Sequence, residues 1–167
     1  MKILHVNITK KSDFRKKSSI FVLKTIKEMD QQQISAYLIK NGIRPLQKRV
    51  KIMSYLVTKR NHPTVEMIYS DLIHDINGLS KTTIYNVLNL FVDSGVALAL
   101  NIEGNEVRYD ADTSTHGHFK CKVCHGVIDF RVKKEELPIP DMEGFRVDEQ
   151  HYYLKGVCSF CANKIEA

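Results

Sequence analysis

No stretch of this chain approaches the 18 or so consecutive apolar residues needed to cross a bilayer. The opening residues, Met1 to Lys11, interleave Ile3, Leu4, Val6 and Ile8 with polar side chains, which is not an export-signal core. Cysteine is scarce, with four in 167 residues. A cation excess is missing from the back of the chain. Residues 111–167 carry 8 Lys and Arg against 9 Asp and Glu, whereas residues 1–110 carry 17 against 10. A basic front and a near-neutral back point to a front that meets a polyanion, although a solvated basic surface would look the same. No acid or base stands out as the separate partner that a hydrolytic site needs, so no enzyme and no small organic substrate are expected.

The few cysteines are highly ordered. They form two pairs, Cys121-x-x-Cys124 and Cys158-x-x-Cys161, separated by 33 residues. Two such pairs close a tetrahedral tetrathiolate zinc site with no open position, a structural arrangement and not a catalytic one. The same spacing also fits two disulfides or redox-active pairs. Thiols without an export signal favour zinc and a cytoplasmic location.

Residues 1–33 form an extension without an assigned role. Residues 18–29 have helical character, and Met29 is a candidate start. From Ile34 the pattern sharpens. Helices are expected at Ile34 to Asn41 and Leu46 to Thr58. A third, capped by Thr64, places Val65, Ile68, Tyr69, Leu72, Ile73 and Ile76 on one face. A fourth, capped by Ser80, turns Ile84, Val87, Leu88 and Phe91 inward and ends at Gly95. Val96 to Ile102 and Glu106 to Tyr109 form a hairpin across Glu103-Gly104-Asn105.

Helices followed by a hairpin describe a winged helix-turn-helix over residues 34–110. In such a motif the last helix enters the major groove. Lys81, Thr82, Thr83, Tyr85 and Asn86 are the candidate DNA contacts. The plainer alternative is a packing helix. Residues 111–167 read as a small second domain with strands at Phe119 to Lys122, Val127 to Val132 and His151 to Val157, and with Pro138-x-Pro140 before the last. A unit that small needs a zinc staple, because its own core is too small. The fold class is α+β.

Between the halves lie Asp110 and His116-Gly117-His118. Residues two apart in an extended segment point the same way, so His116 and His118 can grip one ion. Asp129 falls in the neighbouring strand, and His62 at a helix start. Imidazole and carboxylate donors suit Fe(II), Mn(II), Zn(II) or Ni(II). H-x-H alone is equally the mark of surface histidines.

The motifs HPTVEMIY (62–69), LSKTTIYNVL (79–88), RYD (108–110), HGHFKCKVC (116–124), IDF (128–130) and LKGVCSFC (154–161) together resemble the ferric uptake regulator family. The resemblance runs from Gly42 to Lys164. It implies an N-terminal winged helix, a C-terminal dimerisation domain, and a homodimeric repressor on palindromic double-stranded operator DNA. It also implies that Arg44 reaches the minor groove. Within the family, the likeness is to the peroxide-sensing repressors. It implies a regulatory Fe(II) or Mn(II) held by His62, Asp110, His116, His118 and Asp129, with release by iron-catalysed oxidation of His62 or His116. Iron-sensing members usually carry Glu at the position of Asp110, and an iron- or zinc-responsive repressor is the alternative. Three departures stand out. Thr115 and Gly117 replace ligands of a further site, although Glu136 and His151 remain. His125 stands where relatives have Gly. Leu46-Gln47-Lys48-Arg49 replaces T-x-Q-R.

Overall fold

The computed structural model describes residues 29–103, 106–132, 144–146 and 151–165. The helical reading of residues 18–29, the tip of the expected hairpin at 104–105, Glu136 and the Pro138-x-Pro140 stretch lie outside them.

Helix α1 is Gln31–Lys40. It starts three residues before the expected Ile34, because Asp30 makes a capping box. The Gln33 N–H donates to the Asp30 side chain at 2.8 Å, and the Gln33 side chain accepts from the Asp30 N–H at 2.9 Å. Ile34 and Leu38, four apart, supply the buried stripe. Helix α2, Gln47–Lys59, buries Val50, Met53 and Val57 at helical spacing, together with Ile52, Tyr55 and Leu56.

Helix α3 is Val65–Leu72, with the Thr64 hydroxyl accepting the Met67 N–H at 3.2 Å. It ends earlier than the apolar face through Ile76 implied. The Asp75 and Ile76 N–H groups both turn back to the Leu72 carbonyl, each at 3.1 Å. Two lysines of α2 take the freed carbonyls: Lys51 Nζ reaches Asp75 O and Lys48 Nζ reaches Gly78 O, each at 2.6 Å. Ile76 stays buried without being helical. Tertiary hydrogen bonds, 24 and 30 residues distant, override the local periodicity.

Helix α4, Lys81–Asp93, is capped by Ser80 and buries Ile84, Val87, Leu88 and Phe91 as expected. It ends in a Schellman motif. Val96 N–H donates to Phe91 O and Gly95 N–H to Val92 O, each at 2.9 Å, with Gly95 at φ 67°. Strands β1 (Leu98–Glu103) and β2 (Glu106–Asp110) pair antiparallel, with Leu98 opposite Asp110. The Tyr109 N–H donates to the Pro63 carbonyl at 3.0 Å, which fixes the end of β2 beside the start of α3.

A second sheet has the order β4-β3-β5. Strand β3 (Gly117–Cys121) pairs antiparallel with β4 (Val127–Phe130) and parallel with β5 (Tyr153–Gly156). A short helix α5, Ser159–Ile165, follows. It has no counterpart in the sequence reading, which assigns no element after the strand expected at His151 to Val157. The large core lies among α1 to α4 and the hairpin. Beside β3 the buried apolar cluster consists of Cys121, Cys158 and Cys161, with Phe119 partly buried against it. That cluster cannot carry a fold unaided.

Candidate metal centre

Two groups of side chains are placed to hold an ion. In the first, Cys121, Cys124, Cys158 and Cys161 each offer a sulfur, all mutually within 4.8 Å. None is in a disulfide; Cys124 and Cys158 Sγ are 3.9 Å apart. Backbone N–H groups of Val123 and Cys158 approach Cys121 Sγ at 3.4 Å. The N–H groups of Cys124, Cys158 and Val123 draw the Cys121 thiol down to about 6, against its burial. Burial, with the three neighbouring sulfurs, pushes Cys161 up to about 12. Four thiols this close cannot all ionise without a cation among them, and four thiolates fill a zinc ion. His125 lies beside this knuckle at φ 58°, exposed. Its left-handed backbone is the conformation that glycine adopts freely.

The second group is His62, Asp110, His116, His118 and Asp129, whose donor atoms also lie within 4.8 Å of one another. Each arrives on a different part of the fold. His62 precedes α3, Asp110 ends β2, His116 precedes β3, and His118 and Asp129 are cross-strand partners in β3 and β4. Asp110 Oδ2 is 3.0 Å from His116 Nε2 and 3.5 Å from His62 Nε2 and His118 Nε2. Asp129 Oδ1 is 2.6, 3.7 and 3.8 Å from the Nε2 atoms of His62, His116 and His118. His62, Asp110 and His118 are buried.

The fit to a cation shows at His62. Both its ring nitrogens are buried without a hydrogen bond of acceptable geometry, although carboxylate oxygens crowd Nε2. A buried imidazole left so calls for a partner other than a proton. The His62 backbone has φ 48° immediately before Pro63, where extended conformations are preferred. A non-glycine residue held there stores roughly 1–3 kcal/mol, a feature that clusters at functional sites.

Gly117, between the two ligand histidines, lies under the Phe130 ring. A Cβ there would come within 2.2 Å of Phe130 Cζ. A side chain at position 117 would therefore have to displace the Phe130 ring.

The electrostatics of the five follow from the two acids. Burial would push the His62 pKa down, but Asp110 and Asp129 outweigh it and raise it from 6.5 to about 9. Asp110 likewise raises His116 to about 9, against the opposing effect of burial. Burial would raise Asp110, yet the rings of His116, His118 and His62 gathered on it hold it well below the usual carboxylate range. Protons therefore compete with a metal ion for this site. Metal affinity is expected to climb as pH rises from about 6.5 and to level off above about 9. The metal-free protein behaves oppositely. The stability due to these raised values is fully present below about 6.5 and is lost as pH rises through about 9. Mn(II) titration calorimetry in buffers of different ionisation enthalpy checks this, and an affinity flat across the window would contradict it.

The candidate DNA contacts lie away from both metal groups. Lys81, Thr82, Tyr85 and Asn86 are exposed on the outer side of α4, with Tyr85 50% exposed. Lys81 Nζ is 2.7 Å from Glu66 and sits 5.5 Å over the Tyr69 ring. The Thr83 hydroxyl shares a 2.9 Å hydrogen bond with Ser80, so part of its capacity serves the cap. Arg44 is exposed before α2. A groove lined by Leu46, Gln47, Lys48, Arg49, Thr83 and Asn86 runs between the start of α2 and α4. Among the described residues no helix is long and apolar enough to cross a membrane. The sequence reading names the five residues that come together here but not the residues behind them. Arg60, Asp112 and Ser114 carry no motif.

Residues 40–155 match the model of the ferric uptake regulator family. A peroxide-responsive repressor, PerR, of Staphylococcus aureus is 32% identical over 140 residues, covering 82% of this chain and 95% of the relative. The ferric uptake regulator of Pseudomonas aeruginosa, solved with manganese, is 25% identical with a TM-score of 0.60, covering 75% of this chain and 97% of that one. The ferric uptake regulator of Vibrio cholerae is 27% identical with a TM-score of 0.61, covering 74% and 98%. With this fold, two metal-ligand groups and these relatives, the chain belongs to the ferric uptake regulator family, and is a metal-responsive transcriptional repressor and not an enzyme.

Proposed function

We propose that the protein is a peroxide-released repressor that binds palindromic operator DNA as a homodimer in the cytoplasm. The observation that carries this reading is the convergence of His62, Asp110, His116, His118 and Asp129 from both halves of the fold. Residues 34–110 are the DNA-binding domain and residues 111–167 the dimerisation domain. Cys121, Cys124, Cys158 and Cys161 hold structural zinc. The five-residue group holds Fe(II) or Mn(II).

His62 belongs to the helical half, and His116, His118 and Asp129 to the sheet. Side chains from both halves on one ion set the angle between them. In a homodimer that angle sets the spacing of the two α4 helices, which has to match successive major grooves. Occupancy of the operator then follows occupancy of the metal site by linkage. A swing from mostly open to mostly closed needs about 5 kcal/mol of differential binding. Lys81 meets a phosphate, Arg44 reaches the minor groove as the family resemblance implies, and Thr82, Thr83, Tyr85 and Asn86 face the major groove.

Iron(II) held by these five residues would supply the redox chemistry that cleaves peroxide. His62 and His116 are the rings assigned to gain oxygen, one peroxide oxygen going to the ring and the other leaving as water. An oxidised imidazole is a poor donor, so the tie between the halves is lost. Manganese(II) in the same ligands supports repression without that chemistry.

The test uses protein loaded with Fe(II) or Mn(II) without oxygen, then exposed to dilute peroxide. Peptide mass spectrometry is expected to show a one-oxygen gain on the peptides holding His62 or His116 in the iron form only, with loss of operator binding. Unmodified histidines and intact binding would leave a repressor that follows metal concentration instead.

A further inference from the structure

We propose that Asp112, tied to Arg60, is a positioning residue for the five-ligand centre, presenting Asp110 and His116 through one free donor atom each. This rests on the reading of the cluster as a metal site and concerns side chains outside it.

The main-chain N–H of Asp112 donates to Asp110 Oδ1 at 2.9 Å. That oxygen is engaged, so Oδ2 is the one turned to the three imidazoles. The Asp112 side chain then shapes the turn toward β3. Its Oδ1 accepts from Ser114 N–H at 3.0 Å and from the Ser114 hydroxyl at 2.6 Å. The turn aims the Ser114 carbonyl at His116 Nδ1, 2.8 Å away. A carbonyl only accepts, so Nδ1 is committed as a donor, and Nε2 is the nitrogen left to face the cluster.

Asp112 Oδ2 receives Arg60 Nη2 at 3.2 Å. The two side chains are 27% and 11% exposed, so this pair is less screened than a free surface pair. Arg60 caps α2 with φ 45°, two residues before His62 at φ 48°. One residue thus bears on three of the five: its main-chain N–H holds Asp110, and its carboxylate reaches His116 through the Ser114 turn and the His62 segment through Arg60. Partners that orient metal ligands in this way typically contribute 10–100-fold to metal affinity. Asp110, held by one oxygen, is kept from binding an ion through both.

The experiment titrates Mn(II) into the full-length, zinc-containing protein and its R60N, D112N, D112A and R60N/D112A variants. Asn tolerates the left-handed backbone, so R60N removes the guanidinium without new strain. D112N keeps an acceptor for Ser114 but gives up the charge opposite Arg60. D112A is expected to weaken Mn(II) binding by roughly 10–100-fold, with smaller losses in R60N and D112N. The double variant is expected to bind no more weakly than D112A, because the two act as a unit. The electron paramagnetic resonance spectrum of bound Mn(II) is expected to change in D112A, since the Ser114 turn that orients His116 is then released. A role limited to stability would shift melting alone. Mn(II) affinity within about twofold of wild type in D112A, or an unaltered spectrum, overturns the proposal. Should D112A fail to fold, R60N and D112N decide it by the same criteria. H118A separates two failures. If H118A also binds as wild type, the metal reading itself is wrong; if only H118A loses the ion, the Asp112 inference alone falls.

Discussion

Cys158→Ser protein is expected to lose the fold of residues 117–165 while α1 to α4 remain folded. The reason lies in how little else holds the second sheet among the described residues. There its buried apolar cluster consists of three of the cysteines themselves with Phe119 against them. Ile128, Leu154, Val157 and Phe160 are all exposed in the single chain. Structural zinc contributes on the order of 10 kcal/mol or more, comparable with the whole stability of a small domain. Serine cannot replace the thiolate, and the remaining three sulfurs leave an open, weaker site. The helical half has its own core, including Phe91, Ile52, Met53 and Leu88. Hydrogen exchange is the measurement. Protection is expected to vanish from β3, β4 and β5 and to persist in α2 and α4, and a zinc chelator on the wild type should reproduce the pattern. Full protection of β3 in the variant would show that the sheet stands without its zinc.

His62→Asn protein is expected to bind Mn(II) more weakly and, above all, to lose the dependence of operator binding on Mn(II). His62 is the ligand that comes from the helical half. Without it the remaining donors, Asp110, His116, His118 and Asp129, lie at or beyond the end of the hairpin. Asn keeps the left-handed backbone at this position, so the loss reports on the imidazole and not on new strain. Coupling between two sites is typically 5–150-fold in affinity, and here it is expected to collapse toward one. Operator titrations with and without Mn(II) measure it. A variant whose operator affinity still rises with Mn(II) as in the wild type would sink the bridging mechanism.

Much of this was legible in the chain, unevenly. The helices were, because Ile84, Val87, Leu88 and Phe91 repeat at helical spacing and Thr64 and Ser80 cap as such residues do. The cysteine group was, because C-x-x-C spacing is itself the chemistry. The five-ligand group was not legible from periodicity. H-x-H alone reads as surface, and the ligands were collected through the family resemblance. The early end of α3 depends on Lys48 and Lys51, which reach it from another helix. Helix α5 is seven residues long, too short to register against a background of cysteines and small residues. The Arg60–Asp112 pair joins positions 52 residues apart, and no local pattern announces such a contact.

The parallel pairing of β5 with β3 has a consequence for biosynthesis. His118 N–H donates to Tyr152 O at 2.9 Å, and β3 lies between an early neighbour and a late one. On the ribosome the helical half can fold as soon as β2 has emerged, since N-terminal units fold first. Strand β3 has to wait for residues 153–161 before its second edge and its zinc are complete. A nascent or prematurely stopped chain would therefore carry α4 and all five residues of the second group, but with β3 paired on one edge only and without the second cysteine pair. The support of the metal centre arrives last, after its ligand residues.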